Sequence, residues 1–190
     1  MIEILEQVQS FVSGQMDSND PAHDSGHIRR VVNLALELCR AYPEANAFRV
    51  QLLAWLHDMH DDKLDSNVGL SAIGDFLRSI ATPEEDVAFV LEGLPYISYR
   101  KYPKMPPKTP LEICIVQDAD RMDAMGAIGI ARTFAYGGAR GRTLENSLAH
   151  FEEKLLRLYA LLNTEEARRI AKPRYDFLQF FYQQFQQEDR

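Results

Sequence analysis

Apolar residues recur three and four positions apart along nearly every patterned stretch of this chain, and no stretch alternates with the two-residue rhythm and hairpin turns of a sheet. Such a chain buries its apolar surface by packing helices on one another, so the expected fold is an all-α bundle. Its 190 residues, 46% hydrophobic and 26% charged, supply one substantial core and a single domain.

The first helix is expected over Ile2 to Gly14. The second starts near Asp24 or Ser25, turns Ile28, Val31, Leu34, Ala35 and Leu38 inward, and ends before Pro43. Asn46 to Met59 is the third and Asp65 to Ile80 the fourth. Thr82-Pro83-Glu84-Glu85 opens a fifth, with Thr82 as cap and Pro83 in the first turn. Tyr96 to Pro110 carries Pro103, Pro106, Pro107 and Pro110 and reads as a stiff, exposed connection whose aromatics rim a pocket or an interface. Leu111 to Met125 is apolar around most of its circumference, which marks a helix buried on several sides. Ile128 to Tyr136 continues helically, and Gly137 to Arg142 is a mobile basic loop. Leu148 to Leu162 and Glu165 to Gln187 close the fold, the latter perturbed at Pro173, with its aromatic series Tyr175 to Phe185 as core and packing surface.

No apolar run approaches the roughly 18 to 20 residues that cross a bilayer, and acids stand near the N-terminus where a signal peptide is basic, so a cytoplasmic protein without membrane partners is expected. Cys39 and Cys114 make neither a disulfide scaffold nor a zinc ribbon and read as reduced core residues. A net charge of −7 argues against binding a nucleic acid duplex by bulk attraction. A small phosphorylated substrate needs only a few local cations.

Against this background four residues stand out: His27, the pair His57-Asp58, and Asp120. His27 lies in line with Val31, Leu34 and Leu38, and His57 with Val50, Leu53 and Ala54, so both imidazoles face the core. One such histidine alone is most often a core residue bonded to a carbonyl. Asp120 is harder to explain without a cation, because an ionised carboxylate in a helix buried on several sides costs several kcal/mol. The alternative for Asp118, Asp120 and Asp123 is pairing with Arg121 or capping of a neighbouring helix. Two imidazoles and two carboxylates are the donor set of a catalytic divalent-metal site.

In this order, His27, His57-Asp58 and Asp120 resemble the motif of the HD superfamily of metal-dependent phosphohydrolases. The stretches His23 to Val31, His57 to Lys63 and Gln117 to Arg132 are similar to a short bacterial subfamily implicated in nucleotide pyrophosphate hydrolysis. The resemblance runs over most of the chain and implies a metal-binding core at about 22–135 with closing helices at about 145–188. It further implies His27, His57, Asp58 and Asp120 as ligands of one ion, with Asp120 at the Ala-Asp-Arg position and Asp123, one turn on, standing behind it. Related dinuclear sites recruit more histidines after the His-Asp pair. Here the histidines are 23, 27, 57, 60 and 150, so one tightly held metal is expected.

The donor types suit manganese best, with iron, cobalt and zinc also compatible and magnesium the weaker fit. The ion would activate a bound water and polarise a phosphoryl oxygen. Asp61 and Asp62, where related alarmone hydrolases carry an acidic pair, are assigned the general-base or water-positioning role; the alternative is a solvated acidic helix end. Lys63 and Arg132 are the best-placed phosphate donors, Arg132 three turns beyond Asp120 on one helical face. Arg30, Arg140 and Arg142 are further candidates. His23 and His60 are donors behind the ligands or surface residues, and His150 is structural.

The expected function is therefore a metal-dependent phosphohydrolase acting on a small nucleotide, releasing pyrophosphate from nucleoside or deoxynucleoside triphosphates through a metal-bound water. A nucleoside monophosphate phosphatase or a cyclic-nucleotide phosphodiesterase would use the same ligands. A non-catalytic metal- or nucleotide-binding sensor would keep the fold without turnover. The sequence leaves the oligomeric state open.

Overall fold

The computed structural model describes residues 1–15, 25–59 and 68–189. Within them the chain is helical, with no strand among the described residues: α1 (Ile2–Gln15), α2 (Ser25–Cys39), α3 (Ala47–Leu56), α4 (Leu70–Ser79), α5 (Glu84–Ile97), α6 (Leu111–Asp123), α7 (Gly126–Ala139), α8 (Leu144–His150), α9 (Leu156–Leu158) and α10 (Glu165–Glu188). A π-helical turn, Phe151–Leu155, joins α8 to α9, and a 3₁₀ turn, Tyr159–Leu161, follows. None of these helices is long and apolar enough to cross a membrane.

Helix α6 is the axis of the bundle. It packs against α2, α3, α5 and α10, which is why Ile115, Val116, Ala119 and Met122 are all fully buried. The inward stripe of α2, Ile28, Val31, Ala35 and Leu38, meets it from one side, and Leu52, Leu53 and Leu56 of α3 complete the layer. Each such side chain contributes about 1.5–3 kcal/mol by leaving water, so the bundle positions the ends of these helices rigidly.

Several local expectations are corrected. Helix α3 stops at Leu56 with Asn46 as its cap, Asn46 Oδ1 accepting from the amides of Phe48 and Arg49. Helix α4 begins at Leu70, because Val68 and Gly69 lie outside it and the Val68 amide returns to the Met59 carbonyl. Thr82 does not cap α5: its buried hydroxyl has no partner among the described residues, and Pro83 occupies the cap.

The segment after α5 is less exposed than its prolines suggest. Tyr96 and Tyr102 are half-buried, their rings 4.5 Å apart and tilted by 38°. From beneath, Gln117 donates to the carbonyls of Tyr96 and Tyr102, and buried Arg121 donates to those of Tyr102, Pro103 and Leu161.

Helices α6 and α7 are separate rather than one continuous rod. Gly126, at φ +73° where a side chain is disfavoured, starts α7 in a new direction. The expected loop at Gly137 is helical: α7 reaches Ala139, and a Cβ at Gly137 would lie 2.2 Å from Ser147 Oγ on α8. The last helix group begins at Leu144, capped by Thr143, and α10 runs unbroken past Pro173. Of the aromatic series, Phe181 stacks on Phe151 and Tyr175 on Tyr159, whereas Phe177 and Phe180 are exposed, Phe180 by 63%.

Candidate metal centre

Three helix ends deliver the expected ligands to one point. His27 lies in the first turn of α2, His57 and Asp58 directly follow α3, and Asp120 is in the last turn of α6. His27 Nε2 stands 3.3 Å from His57 Nε2, 3.3 Å from Asp58 Oδ2 and 3.4 Å from Asp120 Oδ1. His57 Nε2 is 3.4 Å from Asp58 Oδ1 and 3.9 Å from Asp120 Oδ1. His27, His57 and Asp58 form the tightest group, and Asp120, its side chain 29% exposed, closes the set on the solvent side.

The spacing fits a small cation. Donors about 2.1 Å from a shared centre stand roughly 3.0 Å apart at octahedral and 3.4 Å apart at tetrahedral angles. The second nitrogen of each imidazole is already committed: His57 Nδ1 donates to the Ala54 carbonyl at 2.8 Å, and His27 Nδ1 to Asp123 Oδ2 at 2.7 Å. An Nδ1–H donor fixes the tautomer whose Nε2 lone pair faces inward, the usual arrangement of metal-binding histidines. Nitrogen with carboxylate oxygen suits a divalent transition ion better than calcium or magnesium.

Asp123 is the hub behind the ligands. Fully buried, it also accepts from Arg30 Nε at 2.6 Å and Arg30 Nη2 at 3.2 Å, and from Arg132 Nη1 at 2.7 Å. Burial pushes its carboxyl upward, but the bonds from His27 and Arg30 outweigh this and hold it far below the ordinary range. Burial likewise opposes the charge on His27, yet Asp120, Asp123 and Asp58 raise its pKa well above the usual value. Asp120 is lowered, burial being outweighed by His27 and His57.

Asp118, two residues before Asp120, faces the opposite way. Its Oδ1 accepts from the backbone amide and side-chain Nδ2 of Asn163, and its Oδ2 from the backbone amide and hydroxyl of Thr164, the cap of α10. It thus anchors the residue that caps α10 and stands apart from the candidate ligands. Arg121 pairs with carbonyls, and no ion pair joins it to Asp120 among the described residues.

Arg30 and Arg132 therefore stand beside the centre, held through Asp123. Arg132 reaches it from α7, across the break at Gly126, and not along α6 as sequence spacing suggests. Arg140 and Arg142 are exposed and lie over the Tyr136 ring, at 4.9 and 5.4 Å. His150 ends α8, away from these residues in sequence. Asp61, Asp62, Lys63, His23 and His60 lie outside the described residues. The role of Asp123 was only half-legible: its signal is the i, i+3 spacing from Asp120, matched by Arg30 three residues after His27 on α2.

Residues 25–125, which hold all four ligands, match the HD domain family. The uncharacterized protein YpgQ of Bacillus subtilis strain 168 is 36% identical over 191 residues, covering 96% of this chain and 92% of YpgQ. The crystal structure of B. subtilis YpgQ in complex with ADP is similar with a TM-score of 0.85 at 32% identity, over 98% of this chain and 95% of that one. An HD-superfamily hydrolase from Bacillus thuringiensis is similar with a TM-score of 0.77 at 36% identity, over 97% and 95% of the two chains. Matched across its candidate metal ligands and similar to these relatives along nearly its whole length, the chain belongs to the HD domain family.

Proposed function

We propose that the chain is a metal-dependent phosphohydrolase that acts on a small nucleotide, releasing pyrophosphate from nucleoside or deoxynucleoside triphosphates. The observation that carries this reading is the convergence of His27 Nε2, His57 Nε2, Asp58 and Asp120 within 3.3–3.9 Å of one another around His27 and His57. The relative crystallised with ADP supports a nucleotide as the ligand class.

A divalent ion held by these four side chains, manganese by donor preference, supplies Lewis-acid polarisation of a phosphoryl oxygen and acidifies water. The chain's own residues do the rest. Asp123 and the Ala54 carbonyl fix both imidazoles, so the ligands are preorganised. Arg30 and Arg132 bring two guanidinium groups to the edge of the centre, where forked donors meet phosphate oxygens. Asp61 or Asp62 positions the attacking water and accepts its proton, Lys63 neutralises phosphate charge, and Arg140 and Arg142 meet the far end of the substrate. Water adds at the α-phosphorus, the bond to the bridging oxygen breaks, and pyrophosphate leaves as the nucleoside monophosphate forms.

A panel of nucleoside mono-, di- and triphosphates and cyclic nucleotides, incubated with manganese, zinc or chelator, tests this when phosphate and pyrophosphate are read separately. The expected result is pyrophosphate with an equimolar monophosphate, lost with chelator and in His57→Ala and Asp58→Ala. Phosphate release from monophosphates, opening of cyclic nucleotides, or no turnover on any nucleotide overturns it.

A further inference from the structure

A second cavity, of about 400 Å³, lies where the segment after α5 meets the first turns of α6 and α10, and shares no lining residue with the metal ligands. Lys104, Lys108 and Arg168 line it, and no lining residue is acidic. In a chain of net charge −7 such a concentration of positive charge is unexpected by composition. Among the described residues no carboxylate pairs with any of the three; Arg168 donates through Nη2 to the Leu162 carbonyl. Asp118, whose partner Asn163 lines the cavity, is occupied by Asn163 and Thr164.

Lys108 reaches this position from a left-handed backbone, φ +68°, a conformation that non-glycine residues seldom adopt. Three positive charges lining one concavity make it a setting that favours an anion. The remaining wall is mixed, Thr109 and Asn163 standing beside Met105, Ala160 and Leu161, so the cavity pairs a cationic edge with some apolar surface for an organic group.

We propose that this cavity is a second ligand site, separate from the metal centre, that binds a small phosphate-bearing organic anion through Lys104, Lys108 and Arg168. Cys114 on the cavity wall and Asp120 at the metal are six residues apart on α6, about 9 Å along its axis at about 1.5 Å per residue. The site does not depend on the proposed hydrolase reading.

Met105 lines this cavity, whereas Met125 lines a different one beside Asp123. Full-length protein with 13C-labelled methionine methyls is therefore titrated with inorganic pyrophosphate and, separately, with ADP, without added metal. The expected result is a saturable shift of the Met105 methyl, weakened by salt and about tenfold weaker in Lys104→Ala/Lys108→Ala, where two exposed charges are lost. A response to both probes assigns recognition to the phosphate, and a response to ADP alone adds the apolar wall to it. No Met105 shift up to millimolar probe, a shift unchanged in the double variant, or movement of Met125 alone overturns the proposal. Failure of nucleotide hydrolysis would leave this result untouched.

Discussion

Asp123 holds His27 from behind: its Oδ2 lies 2.7 Å from Nδ1 of the imidazole, and so aims Nε2 at the metal ligands. In Asp123→Asn the amide oxygen still accepts that bond, but the charge that also anchors Arg30 and Arg132 is gone. Manganese affinity by calorimetry should fall about 10- to 100-fold, the usual cost of losing a partner behind a metal-binding histidine. Unchanged affinity would show that Asp123 serves packing alone.

Metal should also stabilise the fold. Asp58, Asp120 and Asp123 all crowd His27, and a cation among the first two offsets their repulsion. At a free ion concentration 100 times Kd, linkage supplies about 2.7 kcal/mol, a rise in Tm of roughly 5–10 °C for a chain of this size. Differential scanning fluorimetry with manganese, then with excess chelator, should show the rise and its reversal. A Tm indifferent to both contradicts the centre.

Asp118→Ala should be among the most damaging single changes outside the metal centre. It removes the acceptor for four donors of Asn163 and Thr164, the two from Thr164 buried, at the start of α10. The expected loss is about 3–5 kcal/mol, read as a lower urea midpoint at similar slope. A loss below about 1 kcal/mol would mean that water takes over the cap.

Cys114 is an unreactive thiol at neutral pH. Burial, with the negative charge of Asp118 beside it, pushes its pKa up to about 11. Since the thiolate is the nucleophile, alkylation by iodoacetamide, followed by peptide mapping, should rise about tenfold per pH unit from pH 8 to pH 10. A plateau near pH 9 would contradict the burial of the sulfur.

The helices and the convergence of His27, His57, Asp58 and Asp120 were legible because each rests on a local pattern. His27 and His57 sit in register with apolar neighbours, so the periodicity that builds α2 and α3 also states which way the imidazoles face. Asp118 and Asp120 were harder to separate, since both lie on a helix surrounded on several sides; only the packing of α10 against α6 gives Asp118 its four donors. Arg132 was read along one helix because Ala124 and Met125 continue the apolar pattern, and the left-handed turn at Gly126 leaves only a weak trace in sequence. The Ala54 carbonyl that fixes His57 leaves none, because a backbone acceptor is available at every position.

Helix α6 presents Asp118 and Asp120 on opposite sides, so one two-residue step of backbone serves both the C-terminal helix and the metal. The residues matched by the family, 25–125, therefore lack the partners of Asp118. Cut back to them, the chain would keep every ligand yet leave the Asp118 carboxylate facing the vacated berth of α10, with nothing to brace the other flank of the helix that aims Asp120. What looks like a C-terminal appendage is a counterweight, and the metal site extends mechanically to Thr164.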